Sequence, residues 1–97
     1  MSMFFTIVEG VVEAAREGDL RSAWTEETTR QLPPGLIESS LLRSEHGTWR
    51  IVTVWDSKDA VMAMRALEKP AALLMFEAAG SEPSVSMWTV EGRVNAT

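Results

Sequence analysis

The most constraining feature of this sequence is a short β-type run that leads directly into a helix. Residues 50–55, Arg-Ile-Val-Thr-Val-Trp, are β-branched, aromatic or long, which favours a pleated strand. Ser57 then supplies an N-cap oxygen, and Asp59 places a carboxylate near the positive end of the helix dipole. Trp55 thus stands where the strand meets the helix, and it either lines a pocket or seals an edge of the sheet.

The same strand, predicted to run from Thr48 to Trp55, is apolar on both faces. Strand alternation places Ile51 with Trp55 on one face and Val52 with Val54 on the other. A sheet that is buried on both sides needs a layer over each face, and 97 residues supply helices for only one of them. We therefore expect a second copy of the chain to cover the other face.

The N-terminal third of the chain predicts one strand and one helix. Residues 4–13 alternate as a long first strand, with a bulge expected at Gly10. Residues 14–18 are predicted to form a loop. Asp19 is a good N-cap for a helix that extends to about Gln31, before the Pro-Pro-Gly sequence that follows.

The rest of the chain predicts a hairpin, a broken helix and a last strand. The predicted segments are a strand at 36–44, a turn at 45–47, a strand at 48–55, a helix from Ser57 to about Glu68, a short helix between Pro70 and Gly80, and a strand at 85–90. This βαββαβ order predicts a ferredoxin-like α+β fold, with a four-stranded antiparallel sheet and the helices on one face. We expect residues 1–97 to form a single domain.

Composition excludes several classes of function. The chain has no cysteine and only one histidine, His46, so we expect neither a metal site nor a cofactor. A net charge of -5 with dispersed basic residues argues against nucleic acid as a partner. No apolar stretch approaches the ~20 residues of a membrane span, and no signal segment precedes the first strand, so the expected location is the cytoplasm.

Three stretches of the sequence resemble the antibiotic biosynthesis monooxygenase-like family of dimeric α+β barrels. They are Gly-Asp-Leu at 18–20, Leu-Pro-Pro-Gly-Leu-Ile-Glu-Ser at 32–39, and residues 51–60 from the third strand into the helix. The resemblance implies a homodimer that pairs two sheets face to face, with a small-molecule cavity between sheet and helices in each subunit. Some members of this family oxidise polycyclic phenols without a metal or cofactor, and others degrade haem.

The resemblance separates these two chemistries only in part. Trp55 matches the tryptophan that ends the third strand and lines the cavity in the haem-degrading members. Their asparagine on the first strand and their histidine on the second long helix have no counterpart here, which argues against haem degradation. The phenol-oxidising members use asparagine, tryptophan, arginine and tyrosine around the substrate, whereas this chain has no tyrosine and only one asparagine, Asn95.

Four side chains are the candidate ligand contacts, because the predicted fold is able to bring them around one cavity. They are Trp24, Trp55, Met64 and Trp88. The alternative for each is an ordinary place in the core. His46, Arg50 and Arg65 are candidate polar contacts, but a solvated turn histidine and surface arginines are the favoured explanations, so no catalytic residue is assigned.

Two functions from different classes follow. The first is a cofactor-independent monooxygenase acting on a small planar aromatic compound. The second is a non-catalytic dimeric module of the same fold that binds a small apolar ligand or serves assembly.

Overall fold

The structure of the protein, a computed structural model, describes residues 3–67 and 69–96, although not the side chain of Leu67. In chain order the elements are β1 (Phe4–Val11), a 3-10 turn (Ala14–Arg16), α1 (Glu17–Thr28), β2 (Leu36–Arg43), β3 (Thr48–Trp55), α2 (Lys58–Leu67), α3 (Ala71–Ala78) and β4 (Ser84–Thr89). Glu68, to which the sequence extends the helix that begins after Ser57, lies outside the described residues.

The four strands form one antiparallel sheet in the order β2-β3-β1-β4. The two central strands, β1 and β3, carry buried side chains toward the helices, including Val8 and Ile51. This is the predicted ferredoxin-like α+β fold, and its prediction from the sequence is confirmed. None of the helices in the described part of the chain has the length and hydrophobicity that a bilayer span requires.

The buried side chains between sheet and helices fall into two separate clusters. The first cluster joins β1 and β3 to α1 and α3, and the second joins the other ends of the same strands to α2. The first contains Val8, Val12, Leu20, Trp49, Ile51, Met75, Phe76 and Ala79, and the second contains Phe4, Trp55 and Val61. The core of this small domain is therefore divided along the direction of the strands.

The start of α1 differs from the sequence prediction. The predicted loop at 14–18 is a 3-10 turn followed by the first residues of the helix, which begins at Glu17. Asp19 lies in the first turn and accepts a hydrogen bond from Arg16 Nε instead of acting as the N-cap. Arg16 also donates to the carbonyl oxygen of Ala78 at 2.8 Å, so this segment is ordered by contacts to the end of α3.

The predicted bulge at Gly10 is wrong. The pairing of β1 with β3 continues without interruption through Gly10, and the irregularity lies in β2 between Leu36 and Glu38. A Cβ atom on Gly10 would lie 2.6 Å from Ser81 Oγ and 3.3 Å from the ring of Phe76. Glycine is required there because a neighbouring segment packs against the strand.

Other local predictions are confirmed. Strand β3 has the predicted bounds, and Ser57 Oγ accepts a hydrogen bond from the amide of Ala60 at 3.2 Å. Gly80 has a φ of 73° and follows the C-cap of α3, as expected of a C′ glycine. The junction between β3 and α2, which is part of the family resemblance, thus folds as its sequence predicts.

The face of the sheet that points away from the helices is apolar at its centre. Val54 on β3 pairs with Phe5 on β1, which in turn pairs with Trp88 on β4, and the adjacent row pairs Val52 with Ile7. We call these five side chains the open face. Trp88 is 57% exposed, and Phe5, Ile7 and Val52 are partly exposed, whereas Val54 is only 8% exposed. Isolated exposed hydrophobic residues are common on protein surfaces, whereas these side chains form a contiguous group across three strands.

Trp49 in the first cluster is held by charged side chains from α1 and β2. Its Nε1 donates a hydrogen bond to Glu17 Oε2 at 2.9 Å, and Arg43 Nε donates to the same oxygen at 2.8 Å. The guanidinium carbons of Arg21 and Arg43 lie 5.1 Å and 5.9 Å from the centre of the Trp49 ring, within cation–π distance. The hydrogen bonds from Arg43 and Trp49 and the nearby positive charges lower the pKa of Glu17 below its ordinary value.

We expect Glu17→Gln to lower the stability of the protein at neutral pH and to have little effect in acid. Because its pKa is lowered on folding, the folded protein binds this proton less readily than the unfolded chain does. The stabilisation is complete above the ordinary glutamate pKa, about 4.3, and is lost as the pH falls through the lowered pKa of the folded state. Urea unfolding at several pH values measures it, with Glu45→Gln in the exposed turn as the control. A difference between wild type and Glu17→Gln that does not vary with pH would contradict the prediction.

Candidate functional site

A cavity of about 230 Å³ lies between the inner face of the sheet and the helices. It occupies the gap between the two hydrophobic clusters. Ile51 and Met75 of the first cluster line one side of it, and Trp55 and Val61 of the second cluster line the other. The volume is below the ~300–1,000 Å³ that is usual for drug-sized ligands, so the cavity suits a smaller molecule.

The gap exists because one row of the sheet carries small polar side chains. Antiparallel register aligns Ser39 on β2, Thr53 on β3 and Thr6 on β1, and all three line the cavity. The rows on either side carry larger groups, among them Ile51 and Trp55. Where the serine and threonines lie, neither cluster fills the space beneath the helices, and the floor of the cavity is polar.

Hydrogen bonds order this floor. Trp55 Nε1 donates to Thr6 Oγ1 at 3.0 Å, which satisfies the indole of a side chain that is only 3% exposed. The hydroxyls of Ser39 and Thr53 lie 2.9 Å apart, and either is able to donate to the other. The indole of Trp55 is therefore fixed by packing against the second cluster and by a hydrogen bond to the neighbouring strand.

Three of the four predicted ligand contacts line this cavity. Trp55 comes from the end of β3, Trp24 from the inner side of α1, and Met64 from α2. Trp24 packs against the first cluster and Met64 against the second, so the two helices contribute opposite walls. The cavity is thus lined by one tryptophan from the sheet, Trp55, and by one from the helices, Trp24.

Trp88 does not line the cavity. Its partner across the sheet is Phe5 on the open face, and its Nε1 donates to Ser86 Oγ at 2.9 Å. The neighbouring residue Met87 lines the cavity instead, next to Thr6 in register. The expectation that Trp88 and Trp55 lie around one cavity is therefore not met, because alternation along β4 directs these two indoles to opposite faces of the sheet.

The polar candidates lie in three different places. Arg65 lines the cavity, with Nη1 3.7 Å from Met87 Sδ. Arg50 lies on the helix-free side of the sheet and pairs with Glu9 at 3.5 Å. His46 is exposed in the hairpin turn and lines no part of the cavity. Within residues 3–67 and 69–96, no group of three or more histidine, aspartate or glutamate side chains is placed to hold a metal ion.

A second, more open groove adjoins the cavity. It has a volume of about 740 Å³ and runs between residues 31–35 and the start of α2, with Asp56 and Asp59 at its edge. Met64 and residues 31–33 line both the groove and the cavity. The groove therefore lies where a ligand would approach the cavity from solvent.

The hydroxyl row of the cavity floor was not apparent from the sequence. Serine and threonine on strands have no characteristic spacing, and Ser39 joins Thr53 and Thr6 only through the register of three strands. The bulge between Leu36 and Glu38 shifts the alternation of β2, so the face on which Ser39 lies depends on it. The sole available indication was the break in hydrophobicity at Thr53 within the otherwise apolar residues 51–55.

No protein-family model matches this sequence, and no curated protein matches it significantly. Solved structures do match. One is SnoaB, a cofactor-independent oxygenase from Streptomyces nogalater, with a TM-score of 0.71, 21% identity and coverage of 99% of this chain and 100% of that one. Another is a protein from Deinococcus radiodurans, provisionally described as an antibiotic biosynthesis monooxygenase, with a TM-score of 0.72, 16% identity and coverage of 97% and 98%.

A third similar structure, of a protein of unknown function from Nitrosomonas europaea, has a TM-score of 0.73 and 15% identity and covers 100% of this chain and 97% of that one. At these identities the likeness is one of fold. The chain therefore shares, over nearly its whole length, the fold of SnoaB and of structures described as antibiotic biosynthesis monooxygenases, the group that its sequence resembles.

Proposed function

We propose that the cavity binds a small planar aromatic compound and that the protein oxidises this compound with dioxygen, without a metal or an added cofactor. The observation that carries the proposal is the cavity itself, which has indole walls from Trp24 and Trp55 and a polar floor of hydroxyls. The description of SnoaB, which has the same fold, as a cofactor-independent oxygenase supports the reaction type.

For the proposed reaction the protein needs only to position the substrate ring and to exclude water from the cavity. A phenol becomes a quinone when a ring carbon loses its hydrogen and gains one oxygen atom of dioxygen, while the second oxygen atom leaves as water with that hydrogen and the phenolic one. The substrate supplies all four electrons. Flat indole surfaces orient the ring, and an apolar enclosure strengthens any hydrogen bond that stabilises the phenolate.

The proposal includes a homodimer formed through the open face. Helices cover the other side of the sheet, whereas Phe5, Ile7, Val52, Val54 and Trp88 form a contiguous apolar surface across three strands. A copy of the same face offers the same apolar composition, and a two-fold axis through it satisfies both chains at once. Pairing of the two sheets produces the dimeric α+β barrel that the sequence resemblance implies.

The second candidate is a non-catalytic dimeric module that binds a small ligand in the same cavity. One observation favours it. The lining of the cavity, as far as the structure describes it, includes no histidine to act as a general base near neutral pH. The two candidates share the ligand, the cavity and the dimer, and they differ only in whether bound ligand reacts with dioxygen.

We expect the purified protein to consume dioxygen when given a dihydroxynaphthalene, and to do so in the presence of a metal chelator. The measurement is oxygen uptake with an electrode, corrected for autoxidation with heat-denatured protein, and one molecule of dioxygen is consumed for each quinone formed. Activity that disappears on chelation and returns with iron contradicts the metal-free reaction. Binding without oxygen uptake, measured by calorimetry on the same compound, assigns the protein to the non-catalytic alternative.

A further inference from the structure

We infer that the hydroxyl row of Ser39, Thr53 and Thr6 donates hydrogen bonds to a ring oxygen of the ligand, so that the cavity selects planar compounds with a phenolic or carbonyl oxygen. The inference rests on the proposed function, because it concerns the ligand of the same cavity. It assigns the recognition of the ligand's polar atom to particular residues, which neither the sequence resemblance nor the tryptophans do.

The register of the sheet places the three hydroxyls side by side. Thr6 pairs with Thr53, and Thr53 pairs with Ser39, so the three residues lie side by side on adjacent strands, whose backbones are about 4.8 Å apart. At the fourth position in this row β4 contributes Met87, which has no hydroxyl. The polar strip therefore begins at Ser39, ends at Thr6 and crosses the floor of the cavity. The lining of the cavity also includes charged and amide side chains outside the sheet, among them Glu27, Gln31, Arg65 and Lys69.

The hydrogen bonds of the row leave donors available. Among the residues that the structure describes, Thr6 makes one side-chain hydrogen bond, in which Oγ1 accepts from Trp55 Nε1. The hydroxyl hydrogen of Thr6 is not used in that bond. Ser39 and Thr53 share a single hydrogen bond, so one of their two hydroxyl hydrogens is also unused. The three hydroxyls thus have two unused hydrogen atoms to donate. The Trp55 indole N–H is a donor only, so it does not accept either of them.

Trp55 also limits where the hydrogen of Thr6 points. Because the indole N–H approaches Oγ1, the hydroxyl hydrogen must turn away from the indole. Thr6 lines the cavity, so the cavity is the space into which this donor is free to turn. The tryptophan that forms a wall of the cavity therefore also orients a donor in its floor.

A buried hydroxyl donor is satisfied by a hydrogen-bond acceptor and not by a hydrocarbon. Thr53 is only 6% exposed, so a ligand that fills the cavity removes water from a hydroxyl that is already poorly hydrated. A ligand oxygen replaces that water as acceptor, whereas a purely hydrocarbon ring leaves the donor without a partner. Hydrogen bonds to an ionised oxygen are stronger than those to a neutral one, so the row also favours a phenolate over the phenol.

Two probes of the same ring system test this inference directly. 1-Naphthol and 1-methylnaphthalene have similar size and shape, and only the first carries an oxygen. Titration calorimetry on the wild-type protein should show 1-naphthol binding about tenfold more tightly, the difference that one well-made hydrogen bond produces. Thr6→Val keeps the branched shape and removes the hydroxyl, so the ratio of the affinity for 1-naphthol to that for 1-methylnaphthalene should fall toward one. Thr6→Ser keeps the hydroxyl and should retain the wild-type ratio.

Two more variants separate recognition from folding. Thr6→Val removes the acceptor of a buried indole N–H, so Thr53→Val, which leaves the bond between Trp55 and Thr6 intact, tests the row independently. Thr53→Val should also reduce the preference for 1-naphthol. Thr48→Val is the matched control, because Thr48 lies on β3 but alternates to the side of the sheet away from the cavity. Its preference should equal that of the wild type.

The outcomes distinguish this inference from the proposal on which it rests. If wild-type protein binds both probes equally, or if Thr6→Val and Thr53→Val both keep the full preference for 1-naphthol, the hydroxyl row does not recognise the ligand and the inference is overturned. The ligand cavity then still stands. If neither probe binds to the wild-type protein, the cavity is not a site for planar aromatic compounds and both proposals fail.

Discussion

Trp55→Ala is expected to destabilise the protein by about 3–5 kcal/mol, the usual result of removing a buried tryptophan side chain. The indole is 3% exposed and packs against Phe4 and Val61, so its loss opens a void that joins the existing cavity. In a domain of this length such a change lowers the melting temperature by about 15–25 °C. Thermal denaturation followed by circular dichroism measures it. A shift of only a few degrees would show that the second cluster does not depend on this side chain.

A second substitution, Trp55→Phe, distinguishes the contribution of Trp55 to packing from its proposed contact with the ligand. Trp55→Phe keeps an aromatic ring and loses the hydrogen bond to Thr6, so it should fold, with a smaller loss of about 1–2 kcal/mol. If the protein oxidises its ligand, this variant should react more slowly with an unchanged dependence on pH. The indole orients the ring and exchanges no proton, so a shifted pH profile would contradict its role as a wall.

Trp88→Glu is expected to convert the proposed dimer into monomer. Trp88 is 57% exposed in the single chain, so its replacement removes little of the packing within one subunit. In the dimer the same residue would lie in the paired sheets next to Phe5, where a carboxylate loses its hydration. An aromatic residue that is buried in an interface contributes about 2–4 kcal/mol, so its loss weakens association by about 30-fold to 1,000-fold.

Light scattering and sedimentation equilibrium at micromolar concentration measure this effect. The wild type should have twice the mass of the chain, Trp88→Glu the mass of one chain, and Trp88→Phe the mass of the dimer. Val52→Glu, a change at the neighbouring row of the open face, should act in the same direction. Circular dichroism checks that each variant is folded. A wild-type protein that sediments as a single chain refutes the dimer.

Much of the fold was predictable because its elements are specified locally. Strand β3 has its predicted bounds, since β-branched residues fill it and Ser57 caps the following helix. Gly80 marks the end of α3 for the same kind of reason. The start of α1 was not predictable, because Arg16 orders it through contacts with Asp19 and with Ala78, a residue far away in the sequence.

Residues of the candidate site were predictable where the local sequence determines their position, and not where their position depends on the pairing of strands. Trp55 lies where β3 meets the capped start of α2, a junction that the local sequence specifies, so its place beside the helices was predictable although both faces of the strand are apolar. The large apolar residues of β4 fall on both faces of the strand, with Val85 and Met87 on one face and Trp88 on the other. Only the pairing of β4 with β1 determines which face points toward the helices. Tertiary register is the missing information in this case.

The core is divided into two clusters, and the space between them is left unfilled by protein side chains. Leucine or valine at Ser39, Thr53 and Thr6 would close the gap between the clusters and make one continuous interior, as a small domain with little stability to spare would favour. The hydroxyl residues instead keep the interior incomplete. If the proposed ligand binds there, it completes the packing between the two clusters, and its departure would then loosen both ends of the molecule at once.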